Sequence, residues 1–395
     1  MKKYRYLLIP IAIILIFSLS INAIIDKKVK VMLAERDLTS IKHTYNHLIK
    51  DRGGVLKDKM NNENDLMLLG SSELSSSVNQ NPITFFPFKG AEYDVSIYGR
   101  AYTQSLQQTT IISNTSNIID KDKIALVVSA QWFGEESGID GREFSVNFSE
   151  LQFYQFFKNK NIDKENKIYY AKRIAELLKQ SGEYGEEGIY ANLYYRNNFI
   201  TKSLLTILKP YYNLKKYMLE IRDKVQTIKA IENLENKKNV ELRNINWEEE
   251  YEKATREGAS KVTNNDINVD DEYYDTYLRD KYSTLEGTWK DRNLLKSKEL
   301  EDYKFFLEVS NELGIKPLII LMPVNGLYYD HLGWTVEERT KFYSTLESIA
   351  KENGFDVLNL QNKEYEKYYL SDVMHLGWKG WLNIDEEMYK YFNER

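Results

Sequence analysis

The sequence predicts an α/β fold in which a parallel sheet lies between layers of helices. Short runs rich in Val, Ile and Leu occur without polar alternation, which is typical of strands buried on both faces. Helical patterns separate several of these runs, and this alternation indicates parallel strands covered by helices. The five predicted strands span residues 66–69, 93–98, 123–130, 317–323 and 355–360.

The first predicted strand, Leu66 to Leu69, leads directly into Gly70, Ser71 and Ser72. A glycine lets the chain turn sharply, and the two hydroxyl groups then follow the carboxyl end of the strand. Ligand sites of parallel sheets lie beyond these ends. We therefore expect the serines to lie near the residues that follow the later strands, namely Gly99, Gln131 and Asn325.

Two helices near the C-terminus are predicted by apolar spacing and by a capping signal. Apolar residues recur at helical spacing before the fourth strand, and Thr335 to Glu338 matches a capping box after it. The two apolar faces consist of Leu300, Tyr303, Phe306, Leu307 and Leu313, and of Phe342, Leu346 and Ile349. Both helices fit the strand–helix alternation.

A long segment, residues 150–295, interrupts the sheet between the third and fourth strands and has no strong strand pattern. Helical patterns occur near 165–182, 198–209 and 211–234, and a highly charged segment follows from 247 to 290. An insertion of this size is typical of a cap or a partner-binding surface. We predict a helical, Tyr-rich cap. Its tyrosines either meet sugars or another protein, or pack the insertion onto the core.

The N-terminus predicts a membrane anchor. Residues 6–25 carry no formal charge. This uncharged segment is long enough for a helix that crosses a bilayer. The alternative, a cleaved signal peptide, fits less well because the apolar segment is long and the cleavage site is poor. We predict an uncleaved anchor, preceded by residues 1–5 and followed by a membrane-proximal helix at 26–60, mainly 27–52. Lysines on both sides of the anchor leave its orientation open.

Composition excludes several kinds of chemistry. The chain of 395 residues has no cysteine, which excludes thiolate catalysis, cysteine-ligated zinc and disulfides. The net charge of −5 gives no indication of a nucleic-acid partner. His43 and His47 share a face of the predicted helix, but without a carboxylate we favour a polar surface over a metal site. There is no phosphate-binding loop, and we predict no cofactor and no metal.

Asp372 and His375 form an acid–histidine pair near the C-terminus. Three residues apart, their side chains can meet on one helical turn or in a tight loop. A carboxylate that accepts from Nδ1 of a histidine leaves Nε2 free to take a proton from a serine. The pair follows the last strand, which brings it to the same edge of the sheet as Ser72.

The order of these motifs resembles the SGNH hydrolase superfamily. Its members carry a serine after the first strand, a glycine after the second, an amide residue after the third and Asp-x-x-His near the C-terminus. Here Ser72, Gly99, Gln131 and the pair Asp372/His375 occupy those positions. The resemblance implies an SGNH-like, flavodoxin-like catalytic domain formed by residues 61–149 and 296–395.

Two positions depart from the superfamily pattern. Ser71 stands where an aspartate usually precedes the serine, and Gln131 replaces the usual asparagine. These departures weigh against hydrolysis of a simple ester. The segments GSSEL, GRAYTQSL, VVSAQWF, MPVNGLYY and DVMHLGWKGW, behind one N-terminal anchor, resemble the DltD family of teichoic acid D-alanylation proteins of Gram-positive bacteria.

That second resemblance implies a function and a location. It implies transfer of D-alanine to lipoteichoic acid outside the cell membrane, by a single-pass protein. The catalytic domain of that protein is extracytoplasmic and residues 1–5 form its cytoplasmic N-terminus. The implied partners are lipoteichoic acid, the membrane acyltransferase DltB and, for delivery of D-alanine, the carrier protein DltC. It also implies that Ser72 is the nucleophile, His375 its base and Asp372 the group that orients the base.

The remaining roles follow from the same resemblance. The implied oxyanion donors are the backbone N–H groups of Ser72 and Gly99 and the side chain of Gln131. Ser71 is either a donor beside the nucleophile or the nucleophile itself. Two other functions stay open: an SGNH-type O-acetyltransferase or esterase that acts on polysaccharides, and a non-catalytic scaffold of the D-alanylation complex. The intact pair of Asp372 and His375 argues against a scaffold, which needs no oriented base.

Overall fold

A five-stranded parallel sheet forms the centre of the computed structural model, which describes residues 20–61, 65–75, 78–91, 93–114, 123–238 and 241–393. The strand order is β2–β1–β3–β4–β5, and every neighbouring pair is parallel. The strands are β1 (Leu66–Leu69), β2 (Val95–Tyr98), β3 (Ile124–Val128), β4 (Leu318–Leu321) and β5 (Val357–Asn359). The predicted α/β fold and its five strands are confirmed.

The strand order places β1 and β3 at the position where the chain changes direction across the sheet. In doubly wound sheets, ligands bind beyond the carboxyl ends of the strands at this switch point. Ser72 follows β1 and Gln131 follows β3, so the fold brings both to the expected location. A short 3₁₀ turn follows each strand, over Ser72–Ser75 and Ala130–Phe133.

Helices cover both faces of the sheet, and neighbouring residues of β1 enter opposite cores. Leu66 and Leu68 belong to one core, whereas Met67 and Leu69 belong to the other. The helices are α1 (20–35), α2 (Thr39–His43), α3 (Leu48–Arg52), α4 (Val55–Asn61), α5 (Pro82–Phe85), α6 (Ser105–Ile112), α7 (Gly141–Asn147), α8 (Glu150–Lys158), α9 (Lys164–Ser181), α10 (Gly185–Arg196), α11 (Phe199–Ile231), α12 (Trp247–Lys261), α13 (Asp271–Tyr273), α14 (Glu299–Glu312), α15 (Gly326–Leu332), α16 (Val336–Glu352) and α17 (Trp378–Asn393).

The two C-terminal helices predicted from apolar spacing are confirmed as α14 and α16. Phe306 and Leu307 of α14 and Phe342 and Leu346 of α16 are buried in the same core. The predicted capping box is present at the start of α16, where Thr335 and the third helical residue cap each other reciprocally. Local sequence signals therefore suffice for these two helices.

The N-terminal region differs from the prediction. The predicted anchor at 6–25 lies mostly outside the described residues, and the part of the chain that is described contains no helix long and apolar enough to cross a membrane. The predicted single helix over 27–52 is wrong, because α1 ends at residue 35 and two short helices follow. The Asp37 carboxylate accepts from the backbone N–H of Thr39 at 3.0 Å, and this local bond competes with continuation of α1.

The insertion also differs from the prediction in two respects. The two helices predicted on either side of Pro210 form one helix, α11. Pro210 and Thr206 are exposed, so water can satisfy the carbonyl that loses its helical partner at the proline. The insertion is also not a separate cap, because α8 and α9 enter the core on one face of the sheet and α12 packs on α17 on the other.

Most tyrosines of the insertion pack onto the core, as one of the two interpretations expected. Tyr170 and Tyr212 are buried, and the ring centroids of Tyr170 and Phe156 are 4.0 Å apart. Tyr211 and Tyr277 remain about half exposed. Aromatic density in this segment is therefore chiefly a packing feature.

A first prediction concerns Gly99, which follows β2. A Cβ at this position would lie 2.7 Å from the Gly70 carbonyl oxygen. We expect Gly99→Ala to lower the free energy of unfolding by about 1–3 kcal/mol, because the backbone has no room for a methyl group. Chemical denaturation measures this change.

Gly185→Ala is the matched control, since nothing lies within 4 Å of its added Cβ. We expect this variant to be neutral or slightly stabilising. Equal stabilities for the two variants would contradict the packing argument.

Candidate active site

Ser72 lies at the carboxyl end of β1, where the chain leaves the strand at Gly70 and enters a 3₁₀ turn. Its Oγ is 3.1 Å from Nε2 of His375. The two residues are 303 positions apart in sequence, and the parallel sheet brings them together. The structure thus places Ser72, as predicted, against the candidate base.

The loop between β5 and α17 holds the base in position. Asp372 Oδ2 is 2.7 Å from Nδ1 of His375, while Oδ1 accepts from the backbone N–H groups of Met374 at 2.8 Å and of His375 at 2.7 Å. With Nδ1 protonated, Nε2 is an acceptor and can take a proton from the Ser72 hydroxyl. The predicted pair therefore meets in a tight loop, not on a helical turn.

The environment of His375 favours its protonated form. Burial alone lowers the pKa of the imidazole, but the hydrogen bond and charge of Asp372, together with the charge of Glu73, raise it above its ordinary value. The His375 side chain is 27% exposed and that of Asp372 is 15% exposed. A base of this kind can both accept a proton and return it during acyl transfer.

Glu73 is a buried carboxyl directly after Ser72, and its position was not predicted. Its Oε1 accepts from the backbone N–H of Ser71 at 2.6 Å. Its Oε2 has no hydrogen-bond partner among the described residues. Burial raises the pKa of Glu73 to about 7. The distant His375 contributes its charge to the surroundings of this carboxyl, and the local sequence does not indicate that proximity.

The three other predicted site residues occupy different places. Gln131 lines the same cavity as Ser71 and Ser72. The Ser71 hydroxyl donates to the carbonyl of Arg100 at 3.1 Å, so it points away from His375. Gly99 is buried against Gly70 and does not line that cavity.

Gln108 supports the backbone next to Ser72, and this role was not predicted from the sequence. Its side-chain amide donates to the carbonyl oxygen of Gly70 and, at 3.5 Å, to that of Tyr98. It therefore ties together the ends of β1 and β2. The available signal was a glutamine within α6, a helix whose residues are all buried, but burial on every side cannot be read from the sequence.

Asn325 links the insertion to the loop that carries His375. Its side chain caps α15 by accepting from the Tyr328 N–H at 2.9 Å, and it donates to the Ile267 carbonyl at 2.8 Å. Its backbone N–H donates to the Val373 carbonyl at 3.3 Å. Asn325 thus has a positioning role beside the site.

Two cavities flank the line of hydrogen bonds from Ser72 to Asp372. The first, of about 640 Å³, contains Ser72 and has no Lys, Arg or His among its described lining residues. Its polar lining includes Ser71, Gln131, Glu135, Asp140 and Glu143. The second, of about 650 Å³, contains Asp372 and combines aromatic and charged side chains, including Lys261, Tyr273, Tyr277 and Trp378.

The structure gives the histidines of the N-terminal region separate structural partners. His43 Nε2 is 2.7 Å from Asp94 Oδ1, and His47 Nδ1 accepts from the Lys50 N–H at the start of α3. The described residues contain no group of three side chains suited to hold a metal ion. His331 contacts the Tyr282 carbonyl at 2.7 Å and stacks on that ring, so its role is in packing.

A second prediction concerns the buried Glu73. Because its pKa is about 7 in the folded chain and 4.5 ordinarily, the folded state keeps a proton that the unfolded state has lost. Stability therefore falls as pH rises from about 4.5 to about 7, by up to roughly 3 kcal/mol. We expect Glu73→Gln to remove this loss of stability. The free energy of unfolding of the variant, relative to that of the wild type, therefore increases from pH 5 to pH 7 and is constant above pH 7. Denaturant unfolding at several pH values measures the difference.

The control is Glu337→Gln, an exposed residue in the first turn of α16. A constant difference between Glu73→Gln and the wild type from pH 5 to pH 8 would contradict the buried, protonated state of Glu73.

Comparison with known proteins places the chain in a family. The family model described as DltD protein matches residues 42–393. Protein DltD of Bacillus subtilis (strain 168) is 27% identical over 86% of each chain. Protein DltD of Staphylococcus aureus (strain NCTC 8325 / PS 47) is 26% identical over 86% of this chain and 84% of its own, and that of Lacticaseibacillus rhamnosus is 22% identical over 85% and 79%. The chain that carries the Ser72–His375–Asp372 site therefore belongs to the DltD family.

Proposed function

We propose that this protein transfers D-alanyl groups to lipoteichoic acid on the outer side of the membrane, with Ser72 as nucleophile. The observation that carries the proposal is the continuous series of hydrogen bonds from Ser72 through His375 to Asp372. Membership of the DltD family supports teichoic acid D-alanylation as the process. The site has an SGNH-like arrangement, and the N-terminal segment at 6–25 serves as the anchor.

The reaction proceeds in two acyl transfers. Ser72 Oγ attacks the D-alanyl carbonyl of the donor while its proton moves to Nε2 of His375. The tetrahedral intermediate expels the donor group, which takes that proton, and leaves a D-alanyl ester on Ser72. A hydroxyl group of lipoteichoic acid then gives its proton to His375 and attacks this ester. Ser72 leaves with the proton, and the polymer carries the new ester.

The groups around Ser72 suit the charge that develops. Gln131 lines the cavity with Ser72, and the backbone N–H of Ser72 supplies a further donor to the oxyanion. Gly99, the other donor that the resemblance implied, is buried outside this cavity. One such donor is typically worth about 3 kcal/mol in the transition state. Asp372 stabilises the imidazolium that forms in each step.

The Ser72 cavity fits a D-alanyl group better than an acetyl group. A D-alanyl ester carries an ammonium group, and three carboxylates line this cavity: Glu135, Asp140 and Glu143. The second cavity, beside Asp372, provides a separate place for the polymer. We infer that the membrane acyltransferase DltB supplies the activated D-alanyl group, which originates on the carrier DltC.

The nucleophile is tested by complementing a deletion strain and measuring D-alanyl ester on lipoteichoic acid, with membrane levels of each variant matched. We expect Ser72→Ala to leave the ester at the level of the deletion strain, because transfer loses its nucleophile. Ser75→Ala, an exposed serine in the same turn, is expected to restore it fully.

Full restoration by Ser72→Ala would overturn this assignment. Ser71→Ala and His375→Ala would then separate the remaining possibilities: loss in both would assign the nucleophile to Ser71, and loss in neither would indicate a scaffold.

Donor selectivity gives a further prediction at Glu143, whose pKa is raised by partial burial and by Asp140. We expect Glu143→Gln to lower kcat/KM for a D-alanyl ester about fivefold, because a half-exposed charge pair contributes about 1 kcal/mol. The value for the matching acetyl ester is expected to stay constant. Steady-state kinetics on the two esters measures the effect.

Glu136→Gln is the control, since this exposed residue neighbours the cavity without lining it. An equal loss for both esters with Glu143→Gln would argue against recognition of the ammonium group.

A further inference from the structure

We propose that the N-terminal half of α11 lies on the lipid surface of the membrane. One face of this helix exposes an apolar stripe that consists of Ile200, Leu204, Ile207, Tyr211, Leu214 and Met218. Ile207 is 72% exposed and Met218 is 63% exposed. Contiguous exposed apolar surface of this kind marks an interaction site in soluble domains.

The spacing of the apolar stripe is that of one helix face. Its members follow one another at intervals of four and three residues, so at about 100° per residue they stay within an arc of roughly 80°. From Ile200 to Met218 the stripe extends for about 27 Å along the helix. Tyr212 and Leu219, which belong to the core, lie about 100–120° around the helix from the middle of the stripe. The stripe is thus additional to the packing that holds α11.

The charge pattern of the same half of the helix suits a lipid surface. Residues 199–219 contain four lysines and no Asp or Glu. Lys215 pairs with carboxylates of neighbouring helices and Lys216 with Glu220. Lys202 and Lys209 make no ion pair among the described residues and supply the basic polar face. A helix with an apolar face and a basic polar face binds the interface of membranes that contain anionic lipids.

The direction of α1 places the apolar stripe on the side of the N-terminal segment. Lys224 of α11 contacts Asp26 of α1 at 2.6 Å, and Arg36, one residue past the end of α1, donates to the Leu234 carbonyl at 2.8 Å. The two helices therefore run in the same direction. Tracing α1 back towards its start leads towards the half of α11 that carries the stripe, and the uncharged segment from Tyr6 precedes α1.

This inference rests on the membrane attachment proposed above, and it adds a second contact to the anchor. Lipid is the partner that fits the apolar stripe, because a lipid surface requires no matching side chains and accepts an apolar face of any sequence. Its anionic headgroups also attract lysines. Two contacts would fix the orientation of the domain relative to the membrane, and with it the direction in which the cavity at Ser72 opens.

The absence of cysteine from the sequence permits a direct test on the full chain. Single variants Ile207→Cys, Lys202→Cys and Ile13→Cys are labelled with an environment-sensitive fluorophore. Each is reconstituted in vesicles of phosphatidylcholine and phosphatidylglycerol, with or without lipids that carry a nitroxide quencher on the acyl chain. Ile207 lies in the stripe, Lys202 lies on the opposite side of the same helix, and Ile13 reports insertion of the N-terminal segment.

We expect quenching at Ile207 and Ile13 to exceed that at Lys202 by at least about twofold, because an interfacial helix buries only its apolar face. Quenching at Ile13 with equal, weak quenching at Ile207 and Lys202 would overturn the inference and leave the anchor intact. Absence of quenching at Ile13 would overturn the membrane attachment and the inference together. Shielding of the Ile207→Cys label from water in native membranes, but not in lipid vesicles, would also overturn lipid docking. The stripe would then be assigned to contact with a membrane protein.

Discussion

The Asp372 carboxylate is the group on which the geometry of the candidate site depends. One oxygen binds two backbone N–H groups of its own loop, and the other binds the ring of His375. Hydrogen bonds to an ionised acceptor are shorter and stronger than neutral ones. The same side chain therefore fixes the fold of the loop and the tautomer of the histidine. The loop is closed by a bridge between Leu370 and Leu376, so Nε2 stays directed at Ser72 without support from substrate.

The other half of the site depends on two glycines, which leave no side chain between the ends of β1 and β2. A Cβ at Gly99 would meet the Gly70 carbonyl oxygen, and a Cβ at Gly70 would meet the side chains of Glu73 and Leu74. Gln108 binds the carbonyl group of Gly70. This tight packing leaves the Ser72 side chain directed outward, while the Glu73 side chain is buried in the interior. A carboxyl with a pKa of about 7 next to Ser72 couples the stability of this turn to pH and influences the basicity of His375.

Sequence patterns predict those parts of the molecule that local chemistry determines. Continuous apolar runs locate the strands, and the rule that ligands bind at carboxyl ends brings Ser72 and His375 together before any coordinates are known. The features that escaped prediction depend on remote contacts. Helix α1 ends where Arg36 forms a backbone bridge with Asn236, and the buried Glu73 lies within the influence of the charge of the distant His375. The continuity of α11 through Pro210 likewise requires packing against neighbouring helices, which outweighs the cost of the proline.

The long insertion connects the site to the N-terminal region, and this connection explains its path across the molecule. At one end, Asp270 donates its backbone N–H to the Ser371 carbonyl at 2.8 Å, and Asn325 joins Ile267 to the same loop. In its middle, the C-terminal half of α11 packs against α1. In the proposed reaction, a lipid-linked polymer is modified only where the membrane allows it to reach Ser72. One segment that contacts both the His375 loop and α1, the helix that follows the proposed anchor, fixes the distance between Ser72 and that anchor, whereas a mobile cap would leave this distance undetermined.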